Sequence, residues 1–280
     1  MNIKILSDST CDLTPELLEK HNISLARLTV VKNGVGYRDG ADITPSDIFE
    51  HVANGGDLCS TTAYNIGEYE DLFSQYAGEY DGVIHITIGS GFSSCYQNAC
   101  LAAEEFDNVR VVDSQNLSTG HGLVVLEACR LAKECQSLDE IVEKLNEYTT
   151  RVEASFLLDQ LKYMVKGGRC SSVAALGANL LGLKPCIEVK GGKMSVVKKY
   201  RGSYAKCLAS DVKERLADRE DIDRGTLFLT YTTVEDDCRS AVVSAIEQHG
   251  HFNTVYEAIA GCTVSCHCGP ATLGVLFVRK

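Results

Sequence analysis

The chain has 280 residues, long enough for two domains with sizeable cores. Its 45% hydrophobic and 23% charged content is ordinary globular composition and argues against a disordered chain. A net charge of −11 with no basic run argues against nucleic acid, and against standing attachment to an anionic membrane.

The opening MNIKILSDST carries no charged leader ahead of an apolar segment. No later run approaches the ~20 residues that span a bilayer, so a cytoplasmic protein without membrane insertion is expected. The thirteen cysteines are odd in number and lack an export signal. Most, including Cys100, Cys129, Cys186 and Cys207, fall inside apolar patterns and read as reduced, buried thiols. Cys262, Cys266, His267 and Cys268 are the one candidate metal group. No CxxC pair supports it, and strand alternation would set Cys266 and Cys268 opposite His267, so no metal is expected.

Residues 3–6 read as a first strand, followed by SDSTCDLTPE and a helix opened by Thr14 as cap and Pro15 in the first turn. Residues 23–31 read as a second strand and NGVGYRDGADI as a loop. Thr44 and Pro45 open another helix, closed near Asn54, Gly55 and Gly56. LCSTTAYN, residues 58–65, reads as a polar loop with three consecutive hydroxyls, Ser60, Thr61 and Thr62, ahead of a helix over 67–76.

The stretch VIHITIGSGFSSCYQNA, residues 83–99, is the most informative. Its apolar, β-branched run over 83–88 predicts a buried strand, and Tyr96 begins a helix behind Ser93 and Ser94. A strand that passes through glycines and hydroxyls into a helix directs unpaired amides at whatever sits above its carboxyl end. Ser93 is therefore the first candidate for contact with a phosphate or carboxylate, with a plain helix cap as the alternative. Residues 109–112 form a further strand ending at Asp113 and Ser114, and helices follow over 118–135 and over 138–148, the second capped by Ser137.

After Arg151 the rhythm changes. A short strand over 154–158 leads to helical turns over 160–166, a break at Gly167, Gly168 and Arg169, and an apolar helix from Ser171 and Ser172 to Leu181. Residues 185–189 and 194–197 flank Lys190-Gly191-Gly192-Lys193 as a hairpin. A helix over 204–217, a strand over 226–231, a helix over 235–248 and strands over 254–259 and 273–278 complete the chain. The expected fold is α/β: a parallel-sheet α/β domain over 1–155, and an α+β domain with a largely antiparallel sheet over 156–280. No flexible linker divides them, so a tight interface is expected.

Four places set polar groups beside glycine turns: Thr61 with Thr62, Ser93 with Ser94, Arg169, and His267 in CHCGPATLG. Arg169 could pair bidentately with a ligand carboxylate, or serve only as a salt bridge between domains. His267 could instead be a buried histidine satisfied by backbone.

Taken in order, SDSTCDL, the TSQPSxxEF-like loop over 61–69, GSGFSSCYQ (similar to SSGLSGTYQ), VVDSQNLSTGHG, LKYMVKGGRCS (similar to LxxLKKGGRIS) and HCGPATLGV (similar to HxGPGTLGV) resemble the DegV family. The resemblance implies a two-domain, non-catalytic fatty-acid-binding protein. Its ligand would lie between the domains and be presented to a separate ATP-dependent fatty acid kinase for conversion to an acyl phosphate. It places the carboxylate-binding hydroxyls at Thr61 and Ser93, the basic partners at Arg169 and His267, and kinase docking at Arg201. No cofactor beyond the bound fatty acid is implied. The chain departs from the pattern at Ala63, Tyr64 and Asn65, which replace Gln, Pro and Ser, at Ser94, and at Ala271, which replaces the second glycine of GPG. Tyr64 adds bulk where the family has proline, which bears on the acyl chain preferred. Burying a chain of about sixteen carbons, such as palmitate, contributes on the order of 10 kcal/mol before association costs.

Two other readings use the same residues. A serine hydrolase would take Ser93 as nucleophile, His267 as base and Asp113 as orienting carboxylate, although the GxSxG elbow is absent. Nucleotide binding at GSGFSS would lack the P-loop lysine and the full dinucleotide fingerprint.

Overall fold

The structure, a computed structural model, describes residues 1–175 and 182–280. The first half runs β1 (Ile3–Asp8), α1 (Pro15–Lys20), β2 (Ser24–Ala26), β3 (Thr29–Lys32), β4 (Val35–Arg38), α2 (Pro45–Ala53), β5 (Ser60–Thr62), α3 (Ile66–Ala77), β6 (Gly82–Thr87), α4 (Cys95–Ala103), β7 (Val109–Asp113), α5 (Ser118–Glu134) and α6 (Leu138–Thr149). Strands β2, β1, β6 and β7 make a four-stranded sheet in that order, with every pair parallel. Helices lie against it, and every residue of β6 is buried, which is why that strand carries no polar alternation.

The second half runs β8 (Val152–Leu158), α7 (Lys162–Gly167), α8 (Ser171–Ala174), β9 (Leu183–Lys190), β10 (Lys193–Arg201), α9 (Tyr204–Leu216), β11 (Ile222–Tyr231), α10 (Asp236–His249), β12 (Thr254–Ile259), α11 (Cys262–Cys268) and β13 (Thr272–Arg279). Its six strands pair in the order β10, β9, β8, β13, β11, β12, all antiparallel except β11 with β12. Alternation along β13 shows how both faces are used. Leu276 and Val278 join the core shared with the first half, while Leu273, Val275 and Phe277 join a second core under α9 and α10. Helix α5 touches β1 and β6 on one side and β8, β11 and β13 on the other, so it lies between the two large sheets. That explains a helix whose residues 118–125 are all buried.

Five local expectations change. Residues 23–31 are two strands, because the chain leaves the parallel sheet after Ala26 and enters a separate antiparallel sheet ordered β4, β3, β5. The stretch expected as a loop after Val31 holds β4, turned through Asn33 (φ 52°) and Gly34 (φ 76°), the left-handed pair of an Asn-Gly hairpin. Residues 60–62, also expected as loop, form strand β5 on the edge of that sheet. Finally, Cys262–Cys268 is a helix, so the strand alternation invoked for Cys266, His267 and Cys268 does not apply. The helix expected from Ser171 begins as α8, with Cys170 rather than a serine as its cap, and its continuation to Leu181 lies outside the described residues.

Twelve of the thirteen cysteines are buried and all are free thiols, with Cys100 half-buried. Among the described residues no helix is long and apolar enough to cross a membrane, and no group of three or more His, Cys, Asp or Glu has metal-holding geometry.

Candidate functional site

The site is assembled from loops and strand ends that the two sheets bring together. Asp8, at the end of β1, is a buried hub: its carboxylate accepts hydrogen bonds from Tyr69 Oη at 2.7 Å, His85 Nε2 at 3.0 Å and the Ile88 amide at 2.9 Å. Burial alone would raise its pKa, but the hydrogen bond and charge of His85 outweigh it, and the group sits below the ordinary carboxylate range. The amide of Ile88 is thereby fixed where β6 gives way to Gly89-Ser90-Gly91. At Gly91 a side chain is impossible: a Cβ would stand 2.1 Å from the carbonyl oxygen of Gly192, in the β9–β10 hairpin. The glycine loop is thus shaped for contact between the halves of the chain, and Ser93 and Ser94 follow it directly.

Thr61, Thr62, Ser93, Ser94, Arg169 and His267 all line one cavity. Its atom-free space, counted out through the mouth into open solvent, is about 720 Å³. Thr61 Oγ1 lies 2.9 Å from His267 Nε2. Ser93 Oγ accepts from the Cys95 amide at 3.3 Å and lies 3.2 Å from Cys95 Sγ, so it caps α4 from inside the cavity wall. Ser94, the residue preceding α4, makes no side-chain cap. Arg169 donates to the carbonyls of Gly167 at 2.6 Å and Phe92 at 3.4 Å. It has no ion-pair partner among the described residues, so the inter-domain salt bridge is not formed.

Helix α11 carries His267 and is anchored at its start by Asp39, whose carboxylate accepts from the amides of Cys262 at 2.9 Å and Thr263 at 3.2 Å. Gly167 lies against the imidazole, where a Cβ would come within 2.3 Å of Nδ1. Burial, with Arg169 adding to it, lowers the His267 pKa to about 4. Burial thus favours the uncharged ring near neutral pH, and in that form it is a hydrogen-bond partner of Thr61.

Two residues of interest lie elsewhere. Arg201 is exposed at the end of β10 and does not line the cavity. Asp113 accepts from Ser90 Oγ at 2.6 Å and from the Ser90 and Gln115 amides at 3.0 and 2.9 Å. With Asp113 committed there, His267 on Thr61 and Ser93 on Cys95, the hydrolase triad is not assembled.

A second, apolar chamber adjoins the first, and the two share Leu117, Val264 and Cys268. Phe156, Val189 and Leu276 also line it, which places it between the start of α5, helix α11 and the inner face of the six-stranded sheet. None of these residues stands out in the sequence, because the wall of an apolar chamber uses the same side chains as a core.

The departures noted in the sequence have definite places. Ala63 lines the cavity, whereas the Tyr64 ring packs 4.8 Å from Tyr69 and under the Arg38 guanidinium, clear of the cavity wall. Asn65 caps α3 in a reciprocal capping box with Glu68.

The sequence model described as "Uncharacterised protein, DegV family" matches residues 2–280. This chain belongs to the DegV family. A DegV domain-containing protein of Clostridium acetobutylicum is 33% identical over 282 residues, covering 99% of each chain. Among solved structures, a DegV family protein from Thermus thermophilus studied for fatty acid binding superposes with a TM-score of 0.90 at 27% identity, over 100% of both chains. DegV from Bacillus subtilis, described as a fatty acid binding protein, gives 0.83 at 26% over 100% of both. A stearic acid-binding protein from Eubacterium ventriosum gives 0.84 at 25%, over 99% of this chain and 98% of that one. The DegV architecture of parallel and largely antiparallel sheets is thus the architecture of this chain.

Proposed function

We propose that this protein is a cytoplasmic carrier that binds a long-chain fatty acid, with the carboxylate in the polar cavity and the tail in the adjoining apolar chamber. The reading rests on one observation: hydroxyls and an arginine without an ion-pair partner stand at one end of a space whose other end is apolar. Thr61 and Ser93 donate to the carboxylate, neutral His267 orients the Thr61 hydroxyl, and Arg169 supplies the positive charge. A carboxylate shut away without such partners would be strongly destabilised. Thr62 and Ser94, both exposed, form the rim. The unit over 1–155 supplies the hydroxyls, and the unit over 156–280 supplies Arg169, His267 and most of the tail chamber.

The chain carries no catalytic residue of its own in this reading. Its carboxylate is presented to a separate ATP-dependent kinase that forms the acyl phosphate, with Arg201 at the docking face. Paired native and denaturing mass spectrometry of the purified protein, with solvent extraction, tests the carrier. A non-covalent adduct that extracts as a fatty acid supports it. Protein that neither carries nor takes up hexadecanoate sinks it.

A further inference from the structure

Two cysteines flank the Thr61–His267 contact. Cys59 precedes Thr61 by two residues, and Cys266 immediately precedes His267. Both are buried with Cys262 in one small apolar core formed with Val30, Ile43 and Ile48. That core lies where α11 packs on α2, β3 and β5. The thiol pair therefore spans the same junction as the head-group contact. Cys262 is held apart from such a role: its Sγ donates to the Ile43 carbonyl at 3.1 Å and its amide to Asp39.

We propose that Cys59 and Cys266 form a reversible disulfide that ties the residue just ahead of β5 to α11 and holds the head-group end of the cleft closed. The oxidant is a small-molecule disulfide of the glutathione class. The thiolate of one cysteine attacks an oxidant sulfur and expels one thiolate. The second cysteine then attacks the mixed disulfide and expels the other. One S–S bond breaks and one forms, and the two protein thiol protons pass to the two leaving thiolates. Burial raises the pKa of both thiols, so reaction needs the cleft to open, and the bond traps the closed arrangement once it re-forms.

The release measurement below rests on the fatty-acid reading, whereas the cross-link itself does not. Reduced full-length protein is treated with oxidised glutathione and followed by non-reducing peptide mapping, amide hydrogen exchange and release of preloaded ¹³C-labelled hexadecanoate. We expect a Cys59–Cys266 peptide reversed by dithiothreitol, slower exchange in β5 and α11, and release slowed roughly tenfold or more as local opening is suppressed. Cys59→Ser and Cys266→Ala should abolish all three effects of the oxidant. Absence of the linked peptide, a different pairing, or a linked protein with unchanged exchange and release overturns the proposal. If hexadecanoate does not bind, the fatty-acid reading fails, and the peptide map with amide exchange still decides the lock.

Discussion

Thr61 and His267 are 206 positions apart in the chain, yet Thr61 Oγ1 and His267 Nε2 are 2.9 Å apart. Strand β5 belongs to the small antiparallel sheet of the first half, and α11 leads into the central strand β13 of the six-stranded sheet. The contact therefore exists only when both halves are folded and docked. It orients the Thr61 hydroxyl toward a cavity that also holds Ser93 and Arg169.

Removing either hydroxyl should weaken fatty acid binding without disturbing the fold. Hydrogen bonds to a charged group contribute about 1.5–3 kcal/mol, so Thr61→Val and Ser93→Ala should each raise the Kd for hexadecanoate roughly 10- to 100-fold. Fluorescent-probe displacement measures this, with circular dichroism as the fold control. Unchanged affinity in both variants would remove these residues from the head-group site.

Gly167 carries a second prediction through His267. With a Cβ placed 2.3 Å from Nδ1, Gly167→Ala must push the ring away from Thr61. Stability should fall by about 1–3 kcal/mol, the usual cost of overpacking, and affinity should fall with it. Denaturant melts and binding isotherms of one preparation report both, and full affinity would mean that the His267 position does not matter.

Much of this geometry was legible beforehand, for identifiable reasons. Ser93 was visible because a β-branched run, a glycine turn and a helix start are all local signals, and Arg169 because two glycines isolate it. Strand β5 was not, since three polar residues on a sheet edge lack the apolar alternation that marks a strand. Helix α11 is not legible, because a seven-residue segment buried at six positions has neither helical nor strand periodicity. The apolar chamber is invisible in the sequence, as its residues differ from core only in facing empty space.

Asp12 gives a pH test of the junction itself. It is buried, receives the Ser118 hydroxyl at 2.6 Å, and lies beside Gly261 just ahead of α11. Burial, with the charge of Asp39, pushes its pKa up to about 8, whereas an unfolded aspartate titrates near ~3.9. Between those values the folded protein holds a proton that the unfolded chain lacks. Stability contributed here therefore falls as pH rises through that window, by at most about 1.4 kcal/mol per unit. Asp12→Asn abolishes the effect, so its Tm advantage over wild type should be larger at about pH 8 than at about pH 5. The neutral His267 and His121, both lowered to about 4, act oppositely as pH falls below ~6.5, and they cancel in the comparison. An equal difference at both pH values would contradict a protonated Asp12.

Ala271 stands where the family pattern has glycine and adopts φ 54°. A left-handed conformation costs a non-glycine residue about 1–2 kcal/mol, partly offset by the lower backbone entropy of alanine in the unfolded chain. Ala271→Gly should stabilise the protein by about 1 kcal/mol, read as an increase in denaturant midpoint with unchanged slope. A decrease would mean that the position carries no strain.

In the proposed complex a carboxylate sits, ionised, among Thr61, Ser93, His267 and Arg169. Carbon NMR of the protein loaded with carboxyl-¹³C hexadecanoate tests it most directly. Arg169 and the hydroxyls favour the charged form, so the bound carboxyl resonance should be displaced from that of the free acid, invariant from about pH 8 down to about pH 5, and shifted by Thr61→Val and Ser93→Ala. A bound resonance that titrates like a solvent-exposed carboxylic acid, or that neither substitution moves, would contradict it.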